Sequence, residues 1–358
     1  MSLRNNYLKK VGDWLNGEGP DSSIVLSSRI RLARNLKDLP FSPWASDEYL
    51  KRIASEVAKG VLATSFFKKE STDIIEISPL HSLDKQFLLE RHLISNEMVT
   101  GRNGLLITED KETLSVMVNE EDHLRIQVLS SGLSLSSCWQ VINRADDELS
   151  QNLDFCLSLE LGYLTACPTN VGTGMRASVM LHLPALTLSN QINQVLKAAS
   201  QLGLAIRGIH GEGTEAIGNL FQISNQVTLG RPEEEIVDSI ERVTNQIIGY
   251  EKNAYKMLLK QKGPAIEDKI FRAYGILKNA RILSSKEAIN LLSLLRLGLS
   301  MDLLRGIPLS KLNELLIINQ PAHIQKIKGR QLKEEERNVA RASIIRQRLL
   351  EEERNDKY

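Results

Sequence analysis

The chain has 358 residues, of which 42% are hydrophobic and 25% are charged. This is long enough for one large domain or two of ordinary size, and it excludes both a disulfide-stapled miniprotein and a chain that is disordered throughout. The 45 lysines and arginines nearly balance the 44 acidic residues, so the whole chain has no net attraction to nucleic acid or anionic membrane, and any anion must be recognised by local arginine clusters.

The N-terminus and the cysteines predict a cytoplasmic protein. The segment Met1 to Lys10 is polar and lacks the apolar core of a signal peptide, and no apolar run approaches the roughly 20 residues that a membrane-spanning helix needs. Cys138, Cys156 and Cys167 are unevenly spaced, which indicates reduced thiols.

The first two thirds of the chain alternate between strand and helix patterns. Runs rich in Val, Ile and Leu and bounded by turn residues predict strands. They are Asp73–Ser78, Leu105–Thr108, Leu114–Asn119, Leu124–Leu129, Ala177–Leu183, Ala205–Ile209 and Leu220–Ser224. The short Glu120–His123 connection favours a hairpin and antiparallel pairing. Helical patterns lie at Ser46–Leu62, at Leu188–Leu202 and from Glu233 to about Lys260, so we expect an α+β domain over residues 1–260.

After Lys262-Gly263-Pro264 the pattern is helical only. Ser284 and Glu287 form a capping box ahead of an apolar run, and residues 334–353 predict a surface helix with one apolar stripe. We therefore expect an all-helical C-terminal domain over residues 261–358.

Two local clusters of charge suit a phosphorylated ligand. If the segment around Arg29 and Arg31 is extended, the two guanidinium groups lie on one face and can bind adjacent phosphates, although scattered surface arginines are the alternative. Three acids, Glu120, Glu121 and Asp122, stand together between two predicted strands. Crowding raises the pKa of at least one of them and favours a general base, while a solvated acidic turn is the alternative.

Two glycine-rich segments follow. Gly172 and Gly174 flank Thr173 and permit close approach of a ligand, and Cys167 just before them is either a small buried residue or a thiolate near arginines. The segment Arg207–Glu215 contains three glycines. It predicts a loop that closes over a site and brings in Glu212 or Glu215, with an ordinary surface loop as the alternative.

Taken in order, these segments resemble the catalytic domain of the phosphagen (guanidino) kinases over Ile24 to about Tyr250. The segments are VLSSRIRLARNL, NEEDHLRI, CPTNVGTGMRASV and RGIHGEGTEA. The resemblance implies a largely antiparallel sheet flanked by helices. It also implies phosphoryl transfer from ATP, with Mg²⁺ carried by the nucleotide and no dedicated metal site, to a guanidino nitrogen.

The resemblance also assigns residues. Glu121 becomes the carboxylate that holds the guanidinium and accepts its proton, Cys167 the thiol against the guanidino group, and Glu212 a second carboxylate. The residues it implies for nucleotide binding are Ser27, Ser28, Arg29, Ile30, Arg31, His92, Arg125, Arg176, Ala177, Ser178, Val179, Met180, Arg207, Gly208, Ile209, His210 and Gly211.

Only 23 residues precede Ile24, and the helical region follows the catalytic motifs, as in the bacterial protein arginine kinases of this family. That resemblance implies a phosphoarginine site, with allosteric control, at Arg337, Asn338, Arg341 and Ala342. Asn338 stands where the family has a carboxylate, so a charge-assisted bond to a guanidinium is lost. A solvated helix that packs by its apolar stripe is the alternative.

The same resemblance implies partners. These are protein substrates marked for degradation in the stress response, including a heat-shock repressor and misfolded proteins, a zinc-binding activator protein, the ClpC–ClpP protease and a second copy in a homodimer or higher homo-oligomer. No direct contact with nucleic acid or membrane is expected. Two other functions stay open: a phosphagen kinase acting on free arginine, and a non-catalytic adaptor that binds phosphoarginine through Arg337 and Arg341.

Overall fold

The computed structural model describes Tyr7 and residues 11–68, 70–208 and 216–355. Ten strands lie in this part of the chain: β1 (Val25–Arg34), β2 (Thr72–Glu76), β3 (Leu105–Glu109), β4 (Leu114–Val118), β5 (Leu124–Ser131), β6 (Leu157–Ser158), β7 (Gly162–Tyr163), β8 (Met175–His182), β9 (Leu204–Gly208) and β10 (Leu220–Asn225). The α-helices among the described residues are α1 (Asp47–Leu62), α2 (Ser82–Glu90), α3 (Asn96–Thr100), α4 (Leu135–Ser150), α5 (Pro184–Leu188), α6 (Ile192–Gln201), α7 (Glu233–Asn279), α8 (Ser285–Ser300), α9 (Leu309–Ile318), α10 (Pro321–Lys328) and α11 (Glu334–Asn355).

Eight strands form one sheet in the order β2-β3-β4-β5-β1-β8-β10-β9, and every neighbouring pair is antiparallel. The predicted α+β class and the antiparallel sheet are therefore confirmed. Strands β6 and β7 form a separate hairpin.

The main core lies between one face of the sheet and helices α1, α4 and α7. Ile30 and Leu32 of β1 are fully buried there, whereas Arg29 and Arg31 alternate onto the other face. This alternation follows from the period of two in a strand. One sheet thus has an apolar face that holds the fold together and a second face that carries charge.

The predicted strands all occur, and no end differs from its predicted position by more than two residues. The prediction of one helix over Leu188–Leu202 is wrong, because α5 ends at Leu188 and α6 begins only at Ile192. Asn190 between them has a left-handed backbone (φ 58°), which ends the first helix. Helices α2, α3 and α4 were not predicted.

Helix α7 runs through the predicted end of the first domain. The backbone of Lys262 is non-helical (φ −138°, ψ 25°), just before Pro264, whose ring disfavours a regular helix. The expected boundary at 260/261 stays a prediction. Beyond it the described chain is helical, as expected, and the Ser284 hydroxyl accepts the amide of Glu287 at the start of α8. No helix in the described ranges is both long and apolar enough to cross a membrane.

Candidate active site

Strand register places the predicted arginines on the charged face of the sheet. Arg31 of β1 lies directly opposite Arg176 of β8, and Arg29 lies opposite Ser178. On the other side of β1, Arg31 faces Gln127 of β5, two residues from Arg125. Directly opposed residues share a face, and so do residues two apart on a strand. Four arginines from three strands therefore lie together.

The fifth arginine, Arg207, lies on the same face of the sheet, as the register of β8, β10 and β9 shows. Ser178 lies opposite Ser224 of β10, and Arg207 of β9 lies opposite Gln222, two residues away on the same strand. The Arg176 guanidinium also donates to the Ser224 hydroxyl at 3.1 Å. The sheet thus presents a row of cations from β5 to β9.

These guanidinium groups repel one another. Removal from water lowers the pKa of Arg29 to about 10, with a further contribution from Arg125 and Arg176. The same causes hold the pKa of Arg31 well below its usual range. The Nε atoms of Arg31 and Arg176 are buried without a hydrogen-bond partner among the described residues. A bound polyanion relieves both the repulsion and the unsatisfied donors, so the residues fit a triphosphate.

Arg34, the last arginine of the same strand, lies on the opposite face. It is buried, and its Nη2 donates to Asp146 at 2.7 Å while Nη1 donates to the carbonyl of Thr173 at 2.9 Å. Its guanidinium also stacks over the Tyr163 ring, 3.4 Å from the centroid. Arg34 therefore holds the loop after β7 against α4 and does not face the cationic row.

The three acids between β4 and β5 have different surroundings. Glu120 is ion-paired with Arg125 and accepts the hydroxyl of Ser95. Asp122 is buried and accepts the side-chain amide of Asn35 at 2.7 Å. The Glu121 carboxylate has no hydrogen-bond or salt-bridge partner within the described ranges and is half-buried.

The pKa of Glu121 is raised, first by desolvation and then by the charge of Glu120; Arg125 opposes the rise, and Asp122 adds a smaller contribution to it. The expected rise from crowded carboxylates is thus found in the acidic turn. Glu121 is the member of this group that is left free to bind a cation and to accept a proton.

The loop with Cys167 is tied to this acidic turn. The Ala166 amide donates to Asp122 Oδ1 at 2.7 Å, and the Cys167 Sγ lies 3.0 Å from the hydroxyl of Thr169. Cys167 is only partly buried, which excludes the simple reading of a core cysteine, whereas Cys138 is fully buried.

Asn35 joins these parts, and the sequence interpretation missed it. Its side-chain amide donates to Asp122 and to the carbonyl of Leu164 at 3.0 Å, while its Oδ1 accepts the amide of His123 at 2.9 Å. The sequence contains one indication of this role, which is a polar residue directly after the strand that carries Arg29 and Arg31. Because Asn35 is buried with donors and acceptor all used, it fixes the acidic turn relative to β1.

The other residues implied for the nucleotide fall into two groups. The side chains of Ile30, Ala177 and Val179 are in the core, and the Ser28 hydroxyl donates to the carbonyl of Gly132, so these residues present no side chain to the cationic row. The second group lines a small pocket on the charged face. Its members are Ser27, His92, Ser178 and Met180, and Arg29, Leu129 and Gln222 complete the lining of the pocket.

His92 and Met180 also border a larger cavity of about 470 Å³ between the sheet and the C-terminal helices. The His92 backbone is left-handed (φ 60°), and its ring meets Trp14 edge-on at 5.5 Å. Gly208 ends β9. Ile209, His210, Gly211, Glu212 and Glu215 lie outside the described residues.

The residues of the expected phosphoarginine motif are engaged within the helical region. Arg341 is buried and donates to the carbonyls of Asn319 (2.9 Å) and Leu283 (2.8 Å) and to Asn338 Oδ1 (2.6 Å). Arg337 donates to the carbonyl of Leu332 at 2.9 Å. Ala342, the last residue of the motif, is in the core. Across the described part of the chain, no group of His, Cys, Asp and Glu is arranged to hold a metal ion.

Comparison with known proteins matches nearly the whole chain. Residues 53–254 match the family model of the ATP:guanido phosphotransferase C-terminal catalytic domain, and residues 263–358 match that of the protein-arginine kinase McsB C-terminal domain. The chain is 47% identical to a protein-arginine kinase from Halothermothrix orenii, covering 98% of this chain and 99% of the relative. It is 45% identical to a protein-arginine kinase from Geobacillus kaustophilus, covering 99% and 98%.

Solved structures agree in fold. A lombricine kinase superposes with a TM-score of 0.56 at 23% identity, covering 70% of this chain and 71% of that one. The substrate-free duplicated taurocyamine kinase from Schistosoma mansoni superposes with a TM-score of 0.57 at 21% identity, covering 78% and 42%.

Proposed function

The chain belongs to the protein-arginine kinase family of ATP:guanido phosphotransferases, and we propose that the cationic row and the acidic turn are its active site. The enzyme transfers the γ-phosphoryl group of ATP, bound with Mg²⁺, to an arginine side chain of a protein. The site assignment rests on one observation, which is that the cationic row and the acidic turn are joined by the Arg125–Glu120 ion pair.

The arginines bind the nucleotide end. Arg29, Arg31 and Arg176 neutralise the triphosphate and the charge that develops on the equatorial oxygens during transfer. Mg²⁺ bound with the nucleotide neutralises further phosphate charge. Arg125 and Arg207 extend the row at either end.

Glu121 acts on the acceptor. A guanidinium with a pKa above about 12 is a poor nucleophile, so its carboxylate partner must orient it and accept a proton as the nitrogen attacks. The bond from the γ-phosphorus to the leaving ADP oxygen breaks, a nitrogen–phosphorus bond forms, and the released proton passes to Glu121. Cys167 holds the guanidino group in line and forms no covalent bond with the phosphoryl group. Glu212, outside the described residues, supplies a second carboxylate.

We also propose the finer biological setting that the family resemblance implies. The substrates are a heat-shock repressor and misfolded proteins, which the modification marks for ClpC–ClpP. A zinc-binding protein activates the kinase, which works in the cytoplasm as a homodimer or larger homo-oligomer. The match of residues 263–358 to the protein-arginine kinase C-terminal domain supports this setting.

The first test is incubation with Mg-ATP and an unfolded, arginine-rich protein, in parallel with free arginine. Mass spectrometry under non-acidic conditions then preserves and locates the labile N–P bond. Phosphate on protein arginine is the expected result. Phosphate on free arginine alone would favour the phosphagen kinase, and none on either would favour an enzyme that requires its activator, or the adaptor.

Glu121→Ala is expected to abolish transfer while ATP binding stays within about twofold, because the base is lost and the arginines remain. Turnover is measured by phosphoarginine formation and binding by nucleotide titration. The control is Glu97→Ala, which removes an exposed carboxylate whose charge also reaches Glu121. A near-normal rate in Glu121→Ala would refute the assignment of the base.

Cys167→Ser is expected to lower turnover by about 100-fold or more without lowering the melting temperature, since the thiol positions the acceptor and is not in the core. Cys156→Ser is the matched control, because Cys156 is also a partly buried free thiol. Full activity of Cys167→Ser would mean that this cysteine has only a packing role.

A further inference from the structure

The β6–β7 hairpin exposes apolar side chains beside the proposed active site. Leu159 is fully exposed at its tip, and Leu157 and Leu161 are 58% and 46% exposed. Hairpin turns usually consist of polar residues and glycine, so three leucines in five positions are unusual. Exposed apolar side chains grouped in this way are typical of an interaction surface.

The base of the hairpin is joined to the loop that carries Cys167. The Tyr163 amide donates to the Gly172 carbonyl at 2.8 Å, and the Gly172 amide donates back at 3.3 Å. The backbones are so close that a Cβ on Gly162 would lie 2.6 Å from the Gly172 carbonyl oxygen. The leucines therefore project from a rigid attachment to the proposed acceptor site.

A second apolar pair borders the same loop on another side. Val227 and Leu229 are about half exposed and flank Thr228. The Thr228 hydroxyl donates to the carbonyls of Thr169 at 3.0 Å and Val171 at 2.7 Å. We call Leu157, Leu159, Leu161, Val227 and Leu229 the apolar rim.

We propose that the apolar rim binds the unfolded polypeptide segment that carries the target arginine, through an apolar side chain a few residues from that arginine. This inference rests on the proposed function. An arginine that reaches Cys167 as part of a chain must bring its neighbours past the loop, and the rim borders that loop. An extended segment offers an apolar side chain and a free arginine at once, whereas a folded surface buries most of its apolar residues.

Charge at the rim points to the same occupant. Glu160 lies at the hairpin tip between two of the leucines, and Glu233, Glu234 and Glu235 begin α7 shortly after Leu229. Arg231 lies 4.0 Å from Glu235 and offsets one of these charges, so acidic groups remain in excess. These carboxylates favour a segment that is cationic around its arginine and disfavour an acidic one. The occupant is therefore a basic, locally unfolded segment with at least one large apolar residue.

The test compares two peptides of equal length, each with one arginine, flanked either by leucines or by serines. With the wild-type full-length chain, we expect a KM about tenfold lower for the leucine peptide, which corresponds to partial burial of one side chain. Leu159→Ser should remove most of this difference and leave kcat unchanged. Because Leu159 is fully exposed, the substitution does not affect folding.

Leu350→Ser is the matched control, since it removes an exposed leucine from α11. Equal KM values for both peptides in the wild type, or an unchanged preference in Leu159→Ser, would overturn the inference. So would a change in oligomeric state in Leu159→Ser, measured by sedimentation, because the rim would then be covered by a second copy. If the wild type modifies neither peptide nor the unfolded protein, it is the proposed function that fails.

Discussion

Glu120 and Glu121 are neighbours of the same residue type with opposite roles. The Glu120 side chain is 1% exposed and its charge is compensated by Arg125, so it is a fixed anion that holds one end of the cationic row. Glu121 has no ion-pair partner among the described residues, and although Arg125 lowers its pKa, desolvation and the charge of Glu120 raise it by more. Different surroundings of adjacent carboxylates are how one site obtains both a structural anion and a base.

Glu120→Gln is therefore expected to shift the pH dependence of turnover. Glu121 works as a base only when deprotonated, so kcat falls as the pH falls through its raised pKa. Removing the Glu120 charge while keeping its shape lowers that pKa, and the acid limb moves to lower pH. The measurement is kcat against pH at saturating ATP. The charge of Glu97 has a weaker influence on the pKa of Glu121, so Glu97→Gln should shift the acid limb less. An acid limb that stays in place or moves to higher pH in Glu120→Gln would contradict the electrostatic explanation.

Residues whose roles depend on local spacing were predictable, and those with distant partners were not. The spacing of Arg29 and Arg31 predicted a shared face, which the register confirms. The role of Arg34 depends on Asp146, 112 positions further along the chain. The role of Asn35 likewise depends on Asp122, 87 positions away. Neither partner can be inferred from the sequence near the arginine strand.

At the scale of elements, a buried glutamate fixes the start of a helix that lies ahead of the predicted one. Glu251 of α7 accepts the amides of Ala185 at 2.7 Å and Leu186 at 2.9 Å, so it caps α5 from 66 positions away. Helix α5 starts with Pro184, which suits the first helical turn. The apolar periodicity of Leu188–Leu202 does not reveal this cap. It therefore predicted a single helix that starts at Leu188, whereas α5 starts at Pro184.

Glu251 should also make stability depend on pH. Burial raises its pKa to about 7 despite the two amide donors. Because this folded-state pKa lies above the unfolded value, the stabilising contribution is complete below about pH 4.5 and is lost as the pH rises through about 7. Between pH 5 and pH 8 the loss is roughly 2 kcal/mol. Glu251→Gln removes this dependence, so the difference in unfolding free energy between variant and wild type should change by about that amount.

Urea unfolding of both proteins at the two pH values measures this change, since all other titrating groups are shared. The Gln side chain has one acceptor oxygen for two amides, so the variant is less stable than the wild type at pH 5. The result that decides the test is the slope of the unfolding free energy against pH. A wild type and a variant with parallel pH dependence would mean that Glu251 stays ionised throughout.

At the scale of the whole molecule, the C-terminal helices are bonded to the elements that carry the site. His182 of β8 and Asn219 both bond to the hydroxyl of Ser293 on α8, at 2.8 and 2.9 Å. Arg296 of α8 is buried and donates to the carbonyl of Ser22, just before the arginine strand. His182 lies on the same face of β8 as Arg176 and Ser178, so the helical region packs against the face that carries the cationic row. The cavity bordered by His92 lies where the two parts meet.

The most direct link between the two parts is Glu90, at the end of α2 and two residues before His92. Its carboxylate accepts the amides of Ala322 at 2.9 Å and His323 at 3.1 Å, which begin α10, and also contacts His323 Nδ1 at 2.8 Å. Glu90 is therefore both a helix cap and a tie between the C-terminal helices and the segment proposed to contact the nucleotide.

Glu90→Ala is expected to lower the unfolding free energy by about 2–4 kcal/mol, because two amides at the N-terminus of α10 and a buried imidazole lose their partner. The released α2 should also let His92 shift, so the KM for ATP rises several-fold while kcat at saturating ATP changes less. Denaturant unfolding and ATP kinetics measure the two effects. Glu335→Ala, which removes an exposed carboxylate from α11, is the control for charge. A loss of stability with an unchanged KM would show that the C-terminal helices brace the sheet without acting on the nucleotide end.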